Sequence, residues 1–459
     1  MEANTIFVQI ASYRDPELIP TLDDMIKQAA SPENLHICIC WQHADDETSD
    51  IFLDAGFVMG GFSGEDDGFN IIDMEKSGAQ LQVIDVHINE TNGACWARNQ
   101  IQQHYADEKY TFQLDSHHRF VDGWDSLSIE MLESLRSEEV PKPLLTAYIP
   151  SFDPENDPAA RIHAPWKMDF DRFIPEGAVF FRPSTIDNWE QRTKPMSSRF
   201  YSAHFCFVDG SFAVEVQHDP EYFFHGEEIS IAVRAYTHGY DLFHPHKVIA
   251  WHEYTRKGRT KIWDDHTTTK KNEGDITLDW VERNNMCHRR NRILFSMDGE
   301  DNSTVDFGKY GFGTERTVRQ YEEHAGISFQ YRGVQQATID RLDPPNHNPE
   351  TDTGWDTEEA WKDSFARSND VHICLHKGEF SEIVDDFDFF YVGTHDENDV
   401  EIHRKDLVKD EIYNYLNSEN GFIDYRLIFL STLRPTSFTV WAHSASKGWM
   451  DKITKPLNY

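Results

Sequence analysis

The stretch that decides the predicted fold is Ile6-Phe-Val-Gln-Ile-Ala-Ser-Tyr-Arg-Asp-Pro16. Its apolar run from Ile6 to Ala11 predicts a short buried strand that opens into a polar loop. The apolar residues between Leu18 and Ala30 then have helical spacing, and the run from Leu35 to Trp41 predicts a second buried strand. A strand, a helix and a second strand in succession are typical of a parallel sheet with helices on its faces.

The same alternation continues along the chain. Leu81 to Ile88 predicts a third strand, Cys95 to Tyr105 a helix and Tyr110 to Leu114 a fourth strand. We therefore predict an α/β domain with a mixed, mostly parallel sheet. In such sheets, ligands bind beyond the carboxyl ends of the strands. The residues that follow the first and fourth strands are the candidates for ligand binding: Ser12, Tyr13, Arg14, Asp15, Asp115, Ser116 and His117.

The charge balance restricts the partners of the protein. The 459 residues include 43 basic and 80 acidic side chains, which gives a net charge of −37. Such a chain repels phosphate backbones and anionic membranes, so we expect no nucleic-acid partner. The same field attracts divalent cations, and an anionic nucleotide would need a metal ion or well-placed arginines to bind. The alternative is that the charge serves no binding role and only makes the surface highly soluble.

The sequence also predicts location and domain organisation. It shows no secretory signal, no apolar run long enough to span a membrane and no paired Cys-x-x-Cys, which together predict a cytoplasmic protein with reduced thiols. Residues 1–340 form the predicted α/β domain. Residues 341–368, rich in Pro, Asn, Asp, Thr and Glu, predict a linker or long surface loop. Residues 369–459 contain four strand-like apolar runs and predict a small β-rich domain.

The strongest local signal for chemistry follows the fourth predicted strand. Asp115 and His117 lie two residues apart, so an extended backbone would place both side chains on the same side. A carboxylate and an imidazole in this arrangement can share one cation, which could neutralise a diphosphate as it leaves. The alternative is that Asp115 caps a turn while His117 is a surface histidine.

Three further segments carry candidate binding residues. One apolar run ends at His252, which could be the third ligand of the cation. Tyr254 and Arg256 lie just beyond it, and Arg256 could bind a phosphate. Arg98 lies on a helix that begins near Gly93, and the amides of a helix start favour anions.

Glu227 and Glu228 occupy the first turn of a predicted helix that follows Gly226. Carboxylates in this position are ordinary helix-start chemistry, because the helix dipole stabilises them. The functional alternative makes Glu227 or Glu228 an acceptor of hydrogen bonds from sugar hydroxyls or from the incoming acceptor group.

Taken together, these segments resemble one family, the GlcNAc-transferases. The motifs occur in the order found in that family, over roughly residues 4 to 335: Ile6 to Pro16, Gly93 to Asn99, Leu114-Asp-Ser-His117, His225-Gly-Glu-Glu228 and Trp251-His-Glu-Tyr254. The family includes a cytoplasmic enzyme that glycosylates hydroxyproline on a ubiquitin-ligase adaptor. The Asp-Ser-His triplet followed by Gly-Glu-Glu is also similar to the polypeptide GalNAc-transferases, which are retaining enzymes with a GT-A fold and manganese.

The resemblance implies a GT-A domain that transfers GlcNAc or a related sugar from a UDP-sugar with retention of configuration. It implies Asp115, His117 and His252 as ligands of Mn²⁺ or Mg²⁺. Ser12, Arg14 and Arg98 would lie near the uridine and diphosphate, and Glu227 and Glu228 near the donor sugar or the acceptor. On the acceptor side, a protein or a glycan, the match is thinner, and His204 is the main candidate for contact.

Two other functions are compatible with the sequence. Two histidines and a carboxylate also form the facial triad of mononuclear iron oxygenases, although that triad usually lies on an antiparallel jelly roll. The second alternative is a carbohydrate-binding or assembly protein with a degenerate transferase domain. Its sugar-binding residues would be the aromatics of the tail: Phe387, Phe389, Phe390, Tyr391, Trp441 and Trp449.

Overall fold

A computed structural model describes residues 4–66, 68–255, 257–346, 355, 357–417 and 422–457. The chain divides into two compact units. The first contains Met1–Gln330 and Asp340–His347, and the second contains Tyr331–Ile339 and Asn348–Tyr459. The predicted domain boundaries at residues 340 and 368 stay a prediction.

The first unit alternates strands and helices along its length. Its strands are β1 (Ile6–Tyr13), β2 (Leu35–His43), β3 (Val58–Asp66), β4 (Phe69–Lys76), β5 (Ala79–His87), β6 (Tyr110–Asp115), β7 (His118–Phe120), β8 (Pro143–Thr146), β9 (Trp166–Phe173), β10 (Val179–Thr185), β11 (Met196–Ser197), β12 (Phe205–Asp209), β13 (Asp241–His244), β14 (Ala250–His252) and β15 (Ile327–Ser328). Its helices are α1 (Leu18–Gln28), α2 (Asp50–Asp54), α3 (Ala94–Gln102), α4 (Trp124–Ser137), α5 (Phe212–Glu215), α6 (Glu227–Thr237), α7 (Ile262–Asp265), α8 (Thr268–Glu273), α9 (Trp280–Leu294) and α10 (Val318–Ala325).

One ten-stranded mixed sheet organises this unit, in the order β11-β13-β8-β12-β6-β1-β2-β5-β4-β3. The four central strands, β6, β1, β2 and β5, run parallel. On both sides the pairing becomes antiparallel, through β12 against β6 and β4 against β5. The predicted mixed α/β class is confirmed, with the parallel pairing at the centre of the sheet.

Both faces of the central strands are buried, which explains why these strands are continuous apolar runs and do not alternate. Val8, Ile10 and Ile39 point to the face covered by α1 and α4, with Leu22 in the same cluster. Cys38 and Cys40 point to the opposite face, where they pack with α3. The carboxyl ends of β1 and β6 therefore meet at one edge of a rigid core.

Two short strands lie outside the large sheet and bring distant parts of the chain together. β7 follows β6 after two residues and pairs antiparallel with β14, with His252 opposite His118. The chain thus folds residue 252 back beside the end of β6.

The second unit is rich in β-structure, as the sequence predicts. It contains β16 (Gly333–Gln335), β17 (Phe365–His376), β18 (Phe387–His395), β19 (Glu401–Arg404), β20 (Leu407–Val408), β21 (Phe422–Ser431), β22 (Ser437–Ser444) and β23 (Gly448–Pro456), with helices α11 (Gln336–Ile339), α12 (Glu358–Asp363) and α13 (Lys409–Leu416). One sheet contains β16, β17 and β21, and the other has the order β19-β18-β22-β23, with β20 on β18. Side chains from both sheets share one apolar core.

The predicted linker, residues 341–368, is partly structured. Residues 347–354 and 356 lie outside the described residues. Beyond them, Thr357 accepts a hydrogen bond from the backbone N–H of Ala360 and so caps helix α12, and β17 begins at Phe365. The polar composition of this segment reflects helix capping as well as loop structure. Within the described residues, no helix is both long and apolar enough to cross a membrane.

Candidate active site

Three side chains from two distant parts of the chain converge at the end of β6. Asp115 is the last residue of β6, His117 lies in the turn to β7, and His252 is the last residue of β14. The pairing of β7 with β14 holds the third residue beside the first two. The structure therefore brings together the three residues predicted as metal ligands.

The spacing of their ligand atoms fits a divalent cation. Nε2 of His117 lies 3.0 Å from Nε2 of His252. Oδ2 of Asp115 lies 3.4 Å from Nε2 of His252 and 3.7 Å from Nε2 of His117. Ligands about 2.1 Å from an ion are about 3.0 to 3.4 Å apart in octahedral or tetrahedral geometry. Two imidazoles and a carboxylate suit Mn²⁺ and related divalent ions.

Asp15 orients one of the two histidines. Its Oδ2 accepts a hydrogen bond from Nδ1 of His117 at 2.7 Å, so that Nε2 of the ring keeps its lone pair directed at the cluster. The same oxygen accepts a hydrogen bond from the hydroxyl of Ser116 at 2.7 Å and lies 3.3 Å from Arg259. Carboxylates commonly fix metal-binding histidines in this way.

Arg98 links Asp115 to a second buried carboxylate. Its guanidinium donates to Oδ1 of Asp115 at 2.8 Å and to Glu227, which also accepts from the thiol of Cys95. Burial alone would raise the pKa of Asp115, but the hydrogen bond from His252 and the charges of Arg98 and His117 hold it well below its usual range. Asp115 is therefore ionised at neutral pH, as a metal ligand must be.

Burial also keeps the neighbouring imidazoles neutral. It lowers the pKa of His252 well below the usual value, and repulsion from His117 lowers it further. The pKa of His204, whose ring stacks on that of His252 at 4.3 Å, is lowered for the same reason. A neutral imidazole has the free lone pair that a cation requires.

A cleft of about 190 Å³ that opens to solvent lies beside this cluster. The lining residues are Ala11, Tyr13, Asp15, Gln42, Gly93, Ala94, Arg98, Asp115, Ser116, His117, Phe223, Phe224, His252, Arg259, Thr260, Lys261, Ile262 and Trp263. Seven of the residues predicted from the sequence are among them: Tyr13, Asp15, Arg98, Asp115, Ser116, His117 and His252.

Two residues predicted near the donor, Ser12 and Arg14, do not line the cleft. Ser12 is fully buried in β1, and its carbonyl accepts from the side chain of Gln42 at 3.1 Å. Arg14, with a φ of 44°, turns the chain out of β1, and its guanidinium binds Glu47 and Asp265. These contacts give both residues a structural part in shaping the loop after β1.

The two glutamates of α6 and two residues near His252 also lie behind the cleft wall. Glu227 is buried against Arg98, and Glu228 accepts from Tyr148 at 2.8 Å and from the backbone N–H of Ala203 at 3.0 Å. His204 is 3.2 Å from the hydroxyl of Tyr254, which donates to a backbone carbonyl. Arg256 lies outside the described residues.

The sequence interpretation missed the basic side of the cleft, formed by Arg259 and Lys261. Arg259 binds Asp15 and Glu253 and also contacts the ring of His117, and both basic residues line the cleft. A signal was present, because residues 256–261 read Arg-Lys-Gly-Arg-Thr-Lys in a chain with a large excess of acids. A basic run in such a chain indicates an anion-binding loop.

The comparison with known families identifies the class of protein. The family Glycosyltransferase (GlcNAc) matches residues 5–331, which include Asp115, His117 and His252 and the cleft beside them. The chain belongs to this family. It is thus a glycosyltransferase by family, and the resemblance drawn from the motifs is confirmed at that level. No curated protein matches the sequence.

Solved structures show distant similarity. GalNAc-T7 with UDP, GalNAc and Mn²⁺ has 14% identity and a TM-score of 0.40, covering 70% of this chain and 54% of its own. The chain thus spans about half of that structure. TarS 1–349 from S. aureus with UDP-GlcNAc has 11% identity and a TM-score of 0.32, covering 63% and 73%. A mannosyltransferase from Pyrobaculum calidifontis with GDP-Man and Mn²⁺ has 9% identity and a TM-score of 0.33, covering 55% and 58%.

Proposed function

We propose that the protein is a GT-A-type enzyme that transfers GlcNAc, or a closely related sugar, from a UDP-sugar to an acceptor hydroxyl with retention of configuration. The observation that carries this proposal is the convergence of Asp115, His117 and His252 beside a cleft with a basic wall. The family name supports GlcNAc as the donor sugar. The hydroxyproline acceptor and the cytoplasmic location suggested by the sequence stay predictions.

Asp115, His117 and His252 would hold Mn²⁺ or Mg²⁺, which supplies positive charge to the diphosphate leaving group. Arg259, which contacts the ring of His117, and Lys261 add fixed positive charge to the same cleft. A guanidinium can bind two phosphate oxygens at once, whereas the ammonium group acts as a point charge. The cleft thereby provides the electrostatic complement of a diphosphate within a strongly acidic protein.

The remaining polar residues act as positioning residues. Asp15 holds the ring of His117, and Arg98 holds Asp115 from the other side. The predicted catalytic role of Glu227 and Glu228 stays a prediction. In the structure Glu227 and Asp115 share the single guanidinium of Arg98.

Both alternative functions have less support. The iron-oxygenase alternative predicts an antiparallel jelly roll, whereas the site lies on a mixed sheet with a parallel centre. The carbohydrate-binding alternative relies on the aromatic tail, but Phe387 and Phe390 are fully buried in the core of the second unit. Phe389, Tyr391 and Trp441 are half-buried, and Trp449 is exposed.

The test is release of UDP from UDP-GlcNAc, UDP-GalNAc and UDP-glucose by the full-length protein, with and without Mn²⁺. We expect Mn²⁺-dependent hydrolysis that Asp115→Ala and His252→Ala abolish. His372→Ala is the matched control, because this histidine lies on the surface of the second unit, paired with Asp424. Undiminished Mn²⁺-dependent hydrolysis in Asp115→Ala would contradict the assignment, as would succinate production from iron and 2-oxoglutarate.

A further inference from the structure

A second cleft lies next to the first, between α3 and α9. It has a volume of about 400 Å³ and opens to solvent. Phe223 lines both clefts, and Asn92 of the second cleft precedes Gly93 of the first. A molecule in the second cleft would therefore lie close to a ligand in the first.

Arg283 is the distinctive residue of this second cleft. The other arginines of α9 lie near a carboxylate: Arg289 at 3.2 Å from Glu300, Arg290 at 2.7 Å from Asp219 and Arg292 at 3.8 Å from Asp298. Within the described part of the chain, Arg283 lies within 4.0 Å of no carboxylate, and its Nε atom is buried without a hydrogen-bond partner. In a protein with a large excess of acids, an unpaired and partly buried guanidinium indicates a place kept for an external anionic group.

The charge environment supports this interpretation. Burial lowers the pKa of Arg283, and the charges of Glu221 and Glu282 compensate only in part. An arginine remains protonated even so. Neither glutamate lies within 4.0 Å of Arg283, so a ligand carboxylate could form the direct ion pair that they do not.

The rest of the lining favours a polypeptide over a sugar. Phe223, Leu278 and Met286 give the cleft an apolar part, and Met286 is 50% exposed. Trp96 is only 9% exposed, and Phe69 packs edge-on against it at 5.7 Å, so it presents no open face on which a sugar ring could stack. Apolar side chains of a peptide can cover the face of α9.

Carboxamides complete the cleft. Asn92 and Gln100 line it and, within the described residues, make no side-chain hydrogen bond to the protein. A carboxamide can donate to a carbonyl and accept from an N–H, which matches the backbone of an extended peptide. Glu221, which also lines the cleft, offers an acceptor for a further donor.

Building on the proposed function, we propose that this second cleft binds the acceptor as an extended polypeptide segment, with an acidic side chain of that segment paired to Arg283. The acceptor hydroxyl would then reach past Phe223 toward the sugar in the first cleft. The residue beside the acceptor hydroxyl, and not only the hydroxyl itself, would determine which substrates are used.

The test uses short synthetic peptides with one Ser, Thr or 4-hydroxyproline flanked by Glu, Lys or Ala. We expect the full-length protein to glycosylate Glu-flanked peptides with a kcat/KM about tenfold above that of Lys-flanked peptides. In Arg283→Gln this ratio should fall to about one. Arg289→Gln, on the same helix but away from the cleft, should keep the ratio of the unchanged protein, and thermal melting checks that both variants fold.

Several results would overturn the inference. One is an equal kcat/KM for Glu-flanked and Lys-flanked peptides. Another is a ratio of these two kcat/KM values that does not change in Arg283→Gln. A third is transfer to neutral oligosaccharides but to no peptide. Fluorescence anisotropy of labelled Glu- and Lys-flanked peptides measures binding directly. If no UDP-sugar is hydrolysed, the proposed function fails, whereas the anisotropy ratio still supports or overturns the peptide-binding cleft.

Discussion

Replacing Asp15 with Asn should weaken the binding of Mn²⁺ while leaving the three predicted metal ligands in place. The carboxylate accepts from His117 and Ser116 at 2.7 Å each and lies 3.3 Å from Arg259. An amide loses the negative charge and one of the two acceptor oxygens, so the imidazole is held less firmly. Substitutions of residues that orient metal-binding histidines cost roughly 10- to 100-fold in metal affinity, or about 1.4 to 2.7 kcal/mol.

Titration of Mn²⁺ against the protein, with free Mn²⁺ measured by electron paramagnetic resonance, gives this affinity directly. Asp23→Asn is the matched control, since this residue lies on the exposed side of α1 and pairs with Lys76. We expect the control to bind Mn²⁺ as the unchanged protein does. Equal affinity in Asp15→Asn would refute the claim that the carboxylate organises the site.

Three further predictions concern the fold around the site and the second unit. Gly93 has a φ of 117°, and a Cβ there would lie 2.8 Å from Phe223. Gly93→Ala should therefore raise the KM for the UDP-sugar and lower the Tm. Unchanged values of both would contradict this prediction. Burial raises the pKa of Glu228 to about 7 despite opposing hydrogen bonds. The folded state therefore binds more protons than the unfolded state between about pH 4.5 and 7. Because of this difference, the free energy of unfolding falls as the pH rises through this window. Glu228→Gln should remove that fall. At pH 8 its free energy of unfolding, measured with urea on the metal-free protein, should exceed that of the unchanged protein by up to about 3 kcal/mol, with little difference at pH 4. Phe390→Ala should cost about 3 to 5 kcal/mol in the unfolding of the second unit, because the ring is fully buried, whereas Phe389→Ala, on the other face of β18, should cost much less.

The sequence predicted the centre of the sheet because that part of the fold is determined locally. The apolar runs of β1, β2, β5 and β6 are buried on both faces, so each is visible as a strand without knowledge of its neighbours. The antiparallel flanks are different. β12 lies between β6 and β8, an order that depends on long-range packing, and the glycines at 60, 61 and 64 in β3 interrupt the alternation that would have revealed its hairpin with β4.

The candidate site divides in the same way. The sequence could indicate that Asp115 and His117 lie close together, because Asp115 ends a recognisable strand and His117 lies two residues further on; their role as metal ligands stays a prediction. Arg98 appeared to be an anion site from its place on a helix, but the structure pairs it with two carboxylates, and no pattern in the sequence indicates such a pairing. Arg259 was missed because it lies on a loop whose position is set by the pairing of β7 with β14.

That small pair of strands has a consequence for the whole first unit. His117 and His252 are separated by 135 residues, and the two strands hold them 3.0 Å apart. An unfolded chain would have to close a long loop to present the same three donors together, so an ion that prefers all three recognises only the finished fold. Such an ion would link the turn after β6 to the end of β14. Because it binds only the folded state, the Tm should rise with the concentration of Mn²⁺.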